Sequence, residues 1–255
     1  AADPARDRPN VVLIISDDQT YSDFGFMGHD VIRTPHLDRL AAQGTRFTNA
    51  YTNCPICVPA RASFATGRYV HDIGYWDNAI AYDGRVPSWG HRLMAQGHRV
   101  TSIGKLHYVD SNPQRNGFDE EILPLHIVNG VGDLLGLIRD ELPRRPGSAN
   151  LGPEAGRGES EYTRYDRSIA DETAKWLKKA AARKDEKPWA LYVGFVSPHF
   201  PLIAPPEFLG LLRTAIDDTV ESAVDVEIDK NLTQERPEDV VEMLRSAREA
   251  AQLGS

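Results

Sequence analysis

The sequence has few cysteines, no excess of positive charge and no long apolar run. Two cysteines in 255 residues are too few for a disulfide scaffold. No second pair of cysteines or histidines at zinc-ligand spacing accompanies Cys54 and Cys57, which argues against a structural zinc site. The net charge of −8 argues against non-specific binding to nucleic acid or to a membrane surface. No apolar stretch approaches the roughly 20 residues of a membrane-spanning helix.

The first residues of the chain carry no recognisable targeting signal. Residues 1–9 lack the apolar core of a signal peptide. Because the chain begins with alanine rather than methionine, this absence does not identify a compartment, and cytoplasmic and periplasmic locations both stay open. The 255 residues, 41% hydrophobic and 26% charged, are enough for one large folded domain or two small ones.

An unbroken apolar run begins at residue 10. Asn10–Ile15 is rich in β-branched residues, which is typical of a strand buried on both faces of a parallel sheet. Asp17 and Asp18 follow it, at the strand end where open α/β sheets bind their ligands. Two adjacent carboxylates repel each other unless a cation lies between them. We therefore expect a hard, oxygen-ligated metal there, with a solvated turn as the alternative.

Two further buried strands are predicted, and basic side chains follow each of them. Arg99–Ile103 leads to Lys105 and His107, which project to the same side of an extended segment and can bond an anion or a leaving group. Trp189–Val196 leads to His199. In open α/β sheets the carboxyl ends of the strands form the ligand site, so these groups are expected where a ligand could bind.

The segment around Cys57 predicts a reactive corner. Pro59 suits the first position of a helix, which puts Cys57 just outside a helix N-terminus that favours negative charge. Arg61 can swing back towards the same spot. A nucleophile or a modified side chain in an anion-binding corner is one interpretation. A redox pair with Cys54, or a simply buried thiol, is the other.

The remaining pattern is mostly scaffold. The predicted helix over 165–184 is expected to turn its charged side chains to solvent. Glycine and proline are frequent between residues 110 and 160, which favours a long irregular excursion. The predicted elements are helices over 33–44, 87–97 and 165–184 and a short strand over 45–51.

Several motifs together resemble the sulfatase family. Cys57-Val-Pro-Ala-Arg61, followed by Ala-Ser-x-x-x-Thr-Gly67, resembles the family signature in which the cysteine is converted to formylglycine. The chain also matches the family's N-V-x-x-I-x-x-D-D strand from Asn10, its T-P-x-L-D-R-L helix, its G-K-x-H motif and its P-H-x-P motif. Trp-Asp-Asn78-Ala is similar to the choline-sulfatase and phosphonate monoester hydrolase branch.

The resemblance implies a three-layer α/β/α fold with a mainly parallel sheet, as in alkaline phosphatase. It implies hydrolysis of a sulfate ester, in which the formylglycine hydrate from Cys57 attacks sulfur and Arg61 steadies it. His199 or Lys105 would assist the leaving alcohol, and His107 would help to regenerate the aldehyde. The implied metal ligands are Asp17, Asp18 and Cys57, with calcium expected and Mn²⁺ or Mg²⁺ as alternatives; the implied substrate-binding residues are Asn78, Lys105 and His199.

The resemblance covers about residues 9–208, so we predict a truncated catalytic domain over 1–210 and an acidic, largely helical tail over 211–255. The family's later Asp-His or Asp-Asn pair has no counterpart downstream of His199. Phosphonate monoester or phosphodiester hydrolysis, or a catalytically inactive module, therefore stays open. The expected partners are a small sulfate ester and a formylglycine-generating enzyme, without nucleic acid or membrane; a homo-oligomer is a further option.

Overall fold

A four-stranded parallel sheet is the centre of the fold. The structure is a computed structural model that describes residues 9–127, 155–183 and 187–206. The strands lie in the order β1, β5, β2, β3, and all three pairings are parallel. Their bounds are β1 Val11–Ile15, β2 Arg99–Lys105, β3 Glu120–Leu125 and β5 Trp189–Gly194. The carboxyl ends of all four strands therefore meet at one edge.

Two apolar layers cover the sheet, one on each face. Strand β5 shows the alternation: Ala190 and Tyr192 enter one core cluster with helical Ala62 and Ala65, whereas its neighbouring positions enter a second cluster with Trp176. A period of two is what a strand between two layers requires. The three-layer α/β/α architecture predicted from the sequence is confirmed.

Six helices and a small second sheet complete the described residues. Helices α2 and α4 contribute to one face and α6 to the other. A two-stranded parallel ladder joins β4 Gly156–Arg157 to β6 Ile203–Ala204. The helices are α1 Pro35–Gln43, α2 Cys57–Thr66, α3 Val70–Ile73, α4 Trp89–Ala95, α5 Pro113–Asn116 and α6 Glu161–Ala181.

Helix α2 begins two residues earlier than the sequence predicts. Cys57 is its first residue, and Pro59 is the third. Proline is tolerated there because the first four amides of a helix have no partner within the helix. Cys57 is thus part of the helix N-terminus rather than outside it.

Strand β1 is less buried than its sequence predicts. Val11, Val12 and Ile14 are 45%, 43% and 61% exposed, although the run reads as buried on both faces. In the described sheet β1 has a hydrogen-bonded neighbour on one side, β5, and stands at the edge. An apolar sequence shows that a strand can be buried. Whether the strand is buried depends on its having a neighbouring strand on each side.

Two other expectations about secondary structure are wrong. Residues 45–51 form no strand. The stretch read as irregular contains β3, which pairs with β2 from Thr101 opposite Glu120. Its two glutamates and Pro124 are unusual in a strand, so the sequence pattern does not predict β3. A proline is acceptable at a sheet edge because its missing amide costs no ladder hydrogen bond on the open side.

Two glycines let β2 and β5 approach each other at their carboxyl ends. Gly104 has φ +93°, and a Cβ atom there would overlap the carbonyl oxygen of Gly194. A Cβ atom on Gly194 would likewise overlap the carbonyl oxygen of Lys105. The floor between the two strand ends is therefore bare backbone.

The predicted acidic tail over 211–255 lies outside the described residues, as do residues 128–154 of the predicted excursion. Among the residues that are described, no helix has the length and apolar character needed to cross a bilayer.

Candidate active site

Asp17 is the central acidic group of the carboxyl edge. It follows β1, is 6% exposed, and its Oδ1 lies 3.3 Å from Nη2 of Arg61. Its Oδ2 accepts a hydrogen bond from Nζ of Lys105. Burial by itself raises the pKa of Asp17, but Lys105 and Arg61 outweigh burial and the net pKa is lowered. Asp17 is therefore a carboxylate at neutral pH.

Asp18 differs from Asp17 in its exposure and in its backbone conformation. It is exposed and has φ +58°, the left-handed conformation that turns the chain after β1. Its charge still reaches the Cys57 thiol, on which it acts as a minor influence that raises the pKa. The two carboxylates predicted as a pair thus face different surroundings.

Cys57 opens helix α2 with its thiol half-buried. Burial and the charge of Asp17 raise the pKa of the thiol, and the opposing influence of Lys105 and Arg61 is smaller. The helix start has no side-chain cap of its own. Instead Oδ1 of Asn78, predicted to bind substrate, accepts the amide of Val58 at 3.0 Å. Asn78 therefore lies beside Cys57 and caps the start of helix α2.

Arg61 connects helix α2 to the sheet. Its Nη1 donates to the carbonyl of Lys105 at 2.8 Å and to Oη of Tyr192 at 2.7 Å, while Nη2 faces Asp17. One buried guanidinium thus joins α2 to the turn after β1, to the end of β2 and to β5. Tyr192 was not predicted, since an aromatic residue inside an apolar strand gives no sign of a polar contact.

Lys105 and His107 end strand β2 on a distorted path rather than an extended one. Gly104 and His107 both have positive φ, and the pairing of β2 with β3 shifts register at this point. Burial, together with Lys105 and Arg61, lowers the pKa of His107 to about 3. His107 is therefore neutral at pH 7, and its buried Nδ1 has no hydrogen-bond partner among the described residues.

His199 is held by the turn that follows β5. The amides of Val196 and Ser197 both donate to the carboxylate of Asp166 at 2.8 Å. Asp166 lies in α6, whose charges the sequence assigns to a solvated face, and for this residue that assignment is wrong. The ring of Tyr162, one turn earlier, packs edge-on against His199 with the centroids 6.1 Å apart. Neither contact carries a sequence signal, because both join segments that are distant along the chain.

Asp17, Cys57 and His199 converge into one group. One ligand atom from each of these side chains lies within 4.8 Å of the others. Asp18 is not a member of this group. Within the part of the chain that the structure describes, no other set of histidine, cysteine and acidic side chains meets the same spacing.

The fit of this group to a metal depends on the chemical state of residue 57. As a thiol, Cys57 supplies sulfur beside one carboxylate and one imidazole, which is not the all-oxygen set that calcium takes. A formylglycine hydrate would supply oxygen instead, beside the carboxylate of Asp17. The residues present therefore fit a hard divalent cation after modification, and further oxygen ligands are needed to reach the usual six to eight.

The architecture and the site together define the class of protein. The fold, a parallel sheet between two helical layers, is similar to that of a solved sulfatase from Pseudoalteromonas sp., with a TM-score of 0.56 at 21% identity over 85% of this chain and 51% of that one. The family model named Sulfatase matches residues 9–224. The chain belongs to the sulfatase family.

Known relatives support this assignment. The chain is 32% identical over 218 residues to a choline-sulfatase of Rhizobium meliloti, covering 80% of this chain and 41% of that protein. It is 30% identical over 193 residues to arylsulfatase K of Bos taurus, covering 76% and 33% respectively. The phosphonate monoester hydrolase of Agrobacterium radiobacter superposes with a TM-score of 0.58 at 22% identity, covering 80% of this chain and 44% of that one. The chain spans less than half the length of these relatives.

Proposed function

We propose that the protein hydrolyses a sulfate ester, with residue 57 as the nucleophile in its formylglycine form. The observation that carries the proposal is the convergence of Asp17, Cys57 and His199 within 4.8 Å at the carboxyl edge of the sheet. Membership of the sulfatase family supplies the reaction class.

The cations of the site are suited to a tetrahedral anion. Lys105 donates to Asp17 and lies at the end of β2, where its ammonium can also approach the non-bridging oxygens of a sulfate. Arg61 is occupied by three partners, so we assign it to holding α2 and residue 57 in register rather than to free substrate contact. A divalent cation held by Asp17, Asp18 and residue 57 would supply further positive charge to the sulfate oxygens.

Proton transfer falls to three side chains. Attack by an oxygen of residue 57 forms a bond to sulfur and breaks the bond from sulfur to the alcohol, which needs a proton as it leaves. We assign that proton to His199 or Lys105. His107 is neutral, because its pKa is about 3. We propose that its ring nitrogen accepts a hydrogen bond from the second hydroxyl on residue 57 as sulfate departs and the aldehyde returns, with the proton passing to solvent because a base of such low pKa does not retain it.

We assign Asn78 to substrate binding. Its Oδ1 is engaged by the amide of Val58, which leaves the amide nitrogen as the end of the side chain that can donate to a substrate oxygen. Asn78→Asp would keep the acceptor and remove this donor. We expect this variant to raise KM more than it lowers kcat.

The test is turnover by protein made with a formylglycine-generating enzyme. The mass of the tryptic peptide spanning residues 47–61 first establishes conversion at Cys57. Aryl sulfate and aryl phosphonate are then compared as substrates, with and without a chelator. Cys57→Ala should abolish turnover, whereas Cys54→Ala, three residues away and outside the converging group, should retain it.

Each other outcome favours a different function. Preference for the phosphonate would replace the sulfatase assignment by phosphonate monoester hydrolysis, since both reactions use a tetrahedral anion. Absence of turnover by fully converted protein would favour a sulfatase-like module without catalysis.

A further inference from the structure

We propose that the chain with Cys57 unmodified binds a zinc-like divalent cation through Asp17, Cys57 and His199. This inference does not depend on the proposed hydrolysis. It concerns the thiol form of the protein, which precedes any conversion to formylglycine.

The donor atoms favour this class of metal. One carboxylate oxygen, one sulfur and one imidazole nitrogen lie within 4.8 Å of one another. Three protein ligands with a fourth position open to water is the arrangement of many zinc sites. Thiolate and imidazole select zinc and related metals over calcium and magnesium, which prefer oxygen alone.

His199 has one ring nitrogen engaged by the backbone and the other available for a metal. Its Nδ1 lies 2.7 Å from the carbonyl oxygen of Phe200. A carbonyl can only accept, so Nδ1 carries the proton and Nε2 keeps the lone pair that a metal requires. Metal-binding histidines commonly bond their second nitrogen in this way. The turn that carries the ring is fixed by two hydrogen bonds to Asp166.

The three ligands come from well-anchored and separate segments. Asp17 follows β1, Cys57 opens α2 and His199 follows β5. Cys57 and His199 are half-buried rather than sealed, which leaves a path for an ion. Arg61 and Lys105 already contact Asp17, and a carboxylate has about four lone-pair positions, so the ion shares this group with them rather than replacing both.

Metal binding would also deprotonate the Cys57 thiol, whose pKa is raised in the unmodified chain. Zinc binds the thiolate, so binding transfers the Cys57 proton to solvent and replaces it with the metal. The thiolate charge then offsets part of the charge of the ion, while Asp17 remains shared with Arg61 and Lys105. Conversion of Cys57 to formylglycine removes the sulfur and with it the preference for a soft metal.

The test uses tag-free full-length chain from a host that lacks the formylglycine-generating enzyme, with the thiol at residue 57 verified by mass. Co²⁺ serves as the probe, since thiolate ligation gives a charge-transfer absorption, and Zn²⁺ is then added in competition. We expect one equivalent of Co²⁺ to give the band, Zn²⁺ to abolish it, and excess Ca²⁺ to leave it unchanged.

Three variants separate this site from a simple Cys54–Cys57 chelate. Cys57→Ser should lose the band, His199→Gln should weaken binding roughly tenfold or more, and Cys54→Ser should behave as the unaltered chain. Loss of the band in Cys54→Ser with normal binding by His199→Gln would overturn the proposal in favour of the two cysteines. Absence of the band in the unaltered chain would overturn it outright.

The outcome is separate from that of the sulfatase assay. Turnover is measured on converted protein, which has no thiol at residue 57, and cobalt binding is measured on unconverted protein. Either result can therefore fail while the other stands.

Discussion

Strands β5 and β1 have similar apolar sequences and very different surroundings. Residues 190–193 of β5 are at most 3% exposed, whereas Ile14 of β1 is 61% exposed. Strand β5 has β1 on one side and β2 on the other, and β1 is an edge. The body of β1 is thus loosely covered, yet the residue just past its end, Asp17, is among the best-buried charges in the described structure.

The difference indicates two ways of fixing a strand. β5 is held along its length by packing on both faces, and β1 is held by its ladder with β5 and by the ion pairs of Asp17 just past its end. The comparison predicts that removing a charge partner of Asp17 lowers the free energy of unfolding most at β1. At the inner strands, truncating a buried side chain should have the larger effect.

Arg61→Ala should have the largest effect on stability. It leaves the buried Asp17 with Lys105 as its remaining basic partner and removes the link between α2 and the sheet. Breaking a buried pair on one side costs about 3–5 kcal/mol. Urea unfolding of the two proteins measures the difference. Arg61→Lys keeps the charge without the two-armed geometry and should fall between them; equal stability of all three would mean that the end of β1 needs no such anchor.

Ile103→Ala in β2 should cost about 2–5 kcal/mol, because the residue is fully buried between the layers. Ile14→Ala in β1 is the matched control, with the same change of side chain at an exposed position, and should cost less than about 1 kcal/mol. Denaturant midpoints of the pair provide the comparison. Similar losses at the two sites would contradict the distinction between edge and interior.

Lowering the pH should weaken the end of β2 through His107. Its pKa is about 3 in the folded chain and about 6.5 when unfolded, so stability from this group is present above pH 6.5. Between these values the unfolded chain binds the proton and the folded chain does not. The free energy of unfolding should fall by about 2 kcal/mol from this residue between pH 7 and pH 5. His107→Asn should show a correspondingly flatter pH dependence; an unchanged slope would remove His107 as its source.

Asp166→Asn should have the smallest effect of the four. Two amides share the carboxylate, and an asparagine offers them one oxygen in place of two. A loss of about 1 kcal/mol is expected. Hydrogen exchange of the Val196 and Ser197 amides should accelerate locally, with the amides of β1 as the internal control. Protection that stays unchanged would show that the turn carrying His199 is fixed by other contacts.

The sequence is most informative about what lies along a strand and least informative about what crosses between segments. Apolar runs followed by Asp17, Lys105 and His199 predict a sheet with these groups at its carboxyl edge, because strand direction alone brings them together. The contacts of Arg61 with Tyr192 and of Asp166 with the turn after β5 depend on tertiary packing. No local spacing encodes them.

The predictions for β1, β3 and the start of α2 were wrong because each depends on contacts between distant segments or on a permissive position. The sequence of β1 contains no information about whether a strand lies on its outer side, so its exposure could not be read. β3 was missed because Pro124 and two glutamates are unfavourable within a central strand and acceptable at an edge. The start of α2 shifted because proline is compatible with any position of the first helical turn.

The glycine pair at the ends of β2 and β5 restricts where variation can enter this site. Any side chain at Gly104 or Gly194 would push one strand away from the other and separate Lys105 from the residues around Asp17. A library that randomises both positions and selects for folded protein should therefore return glycine at each.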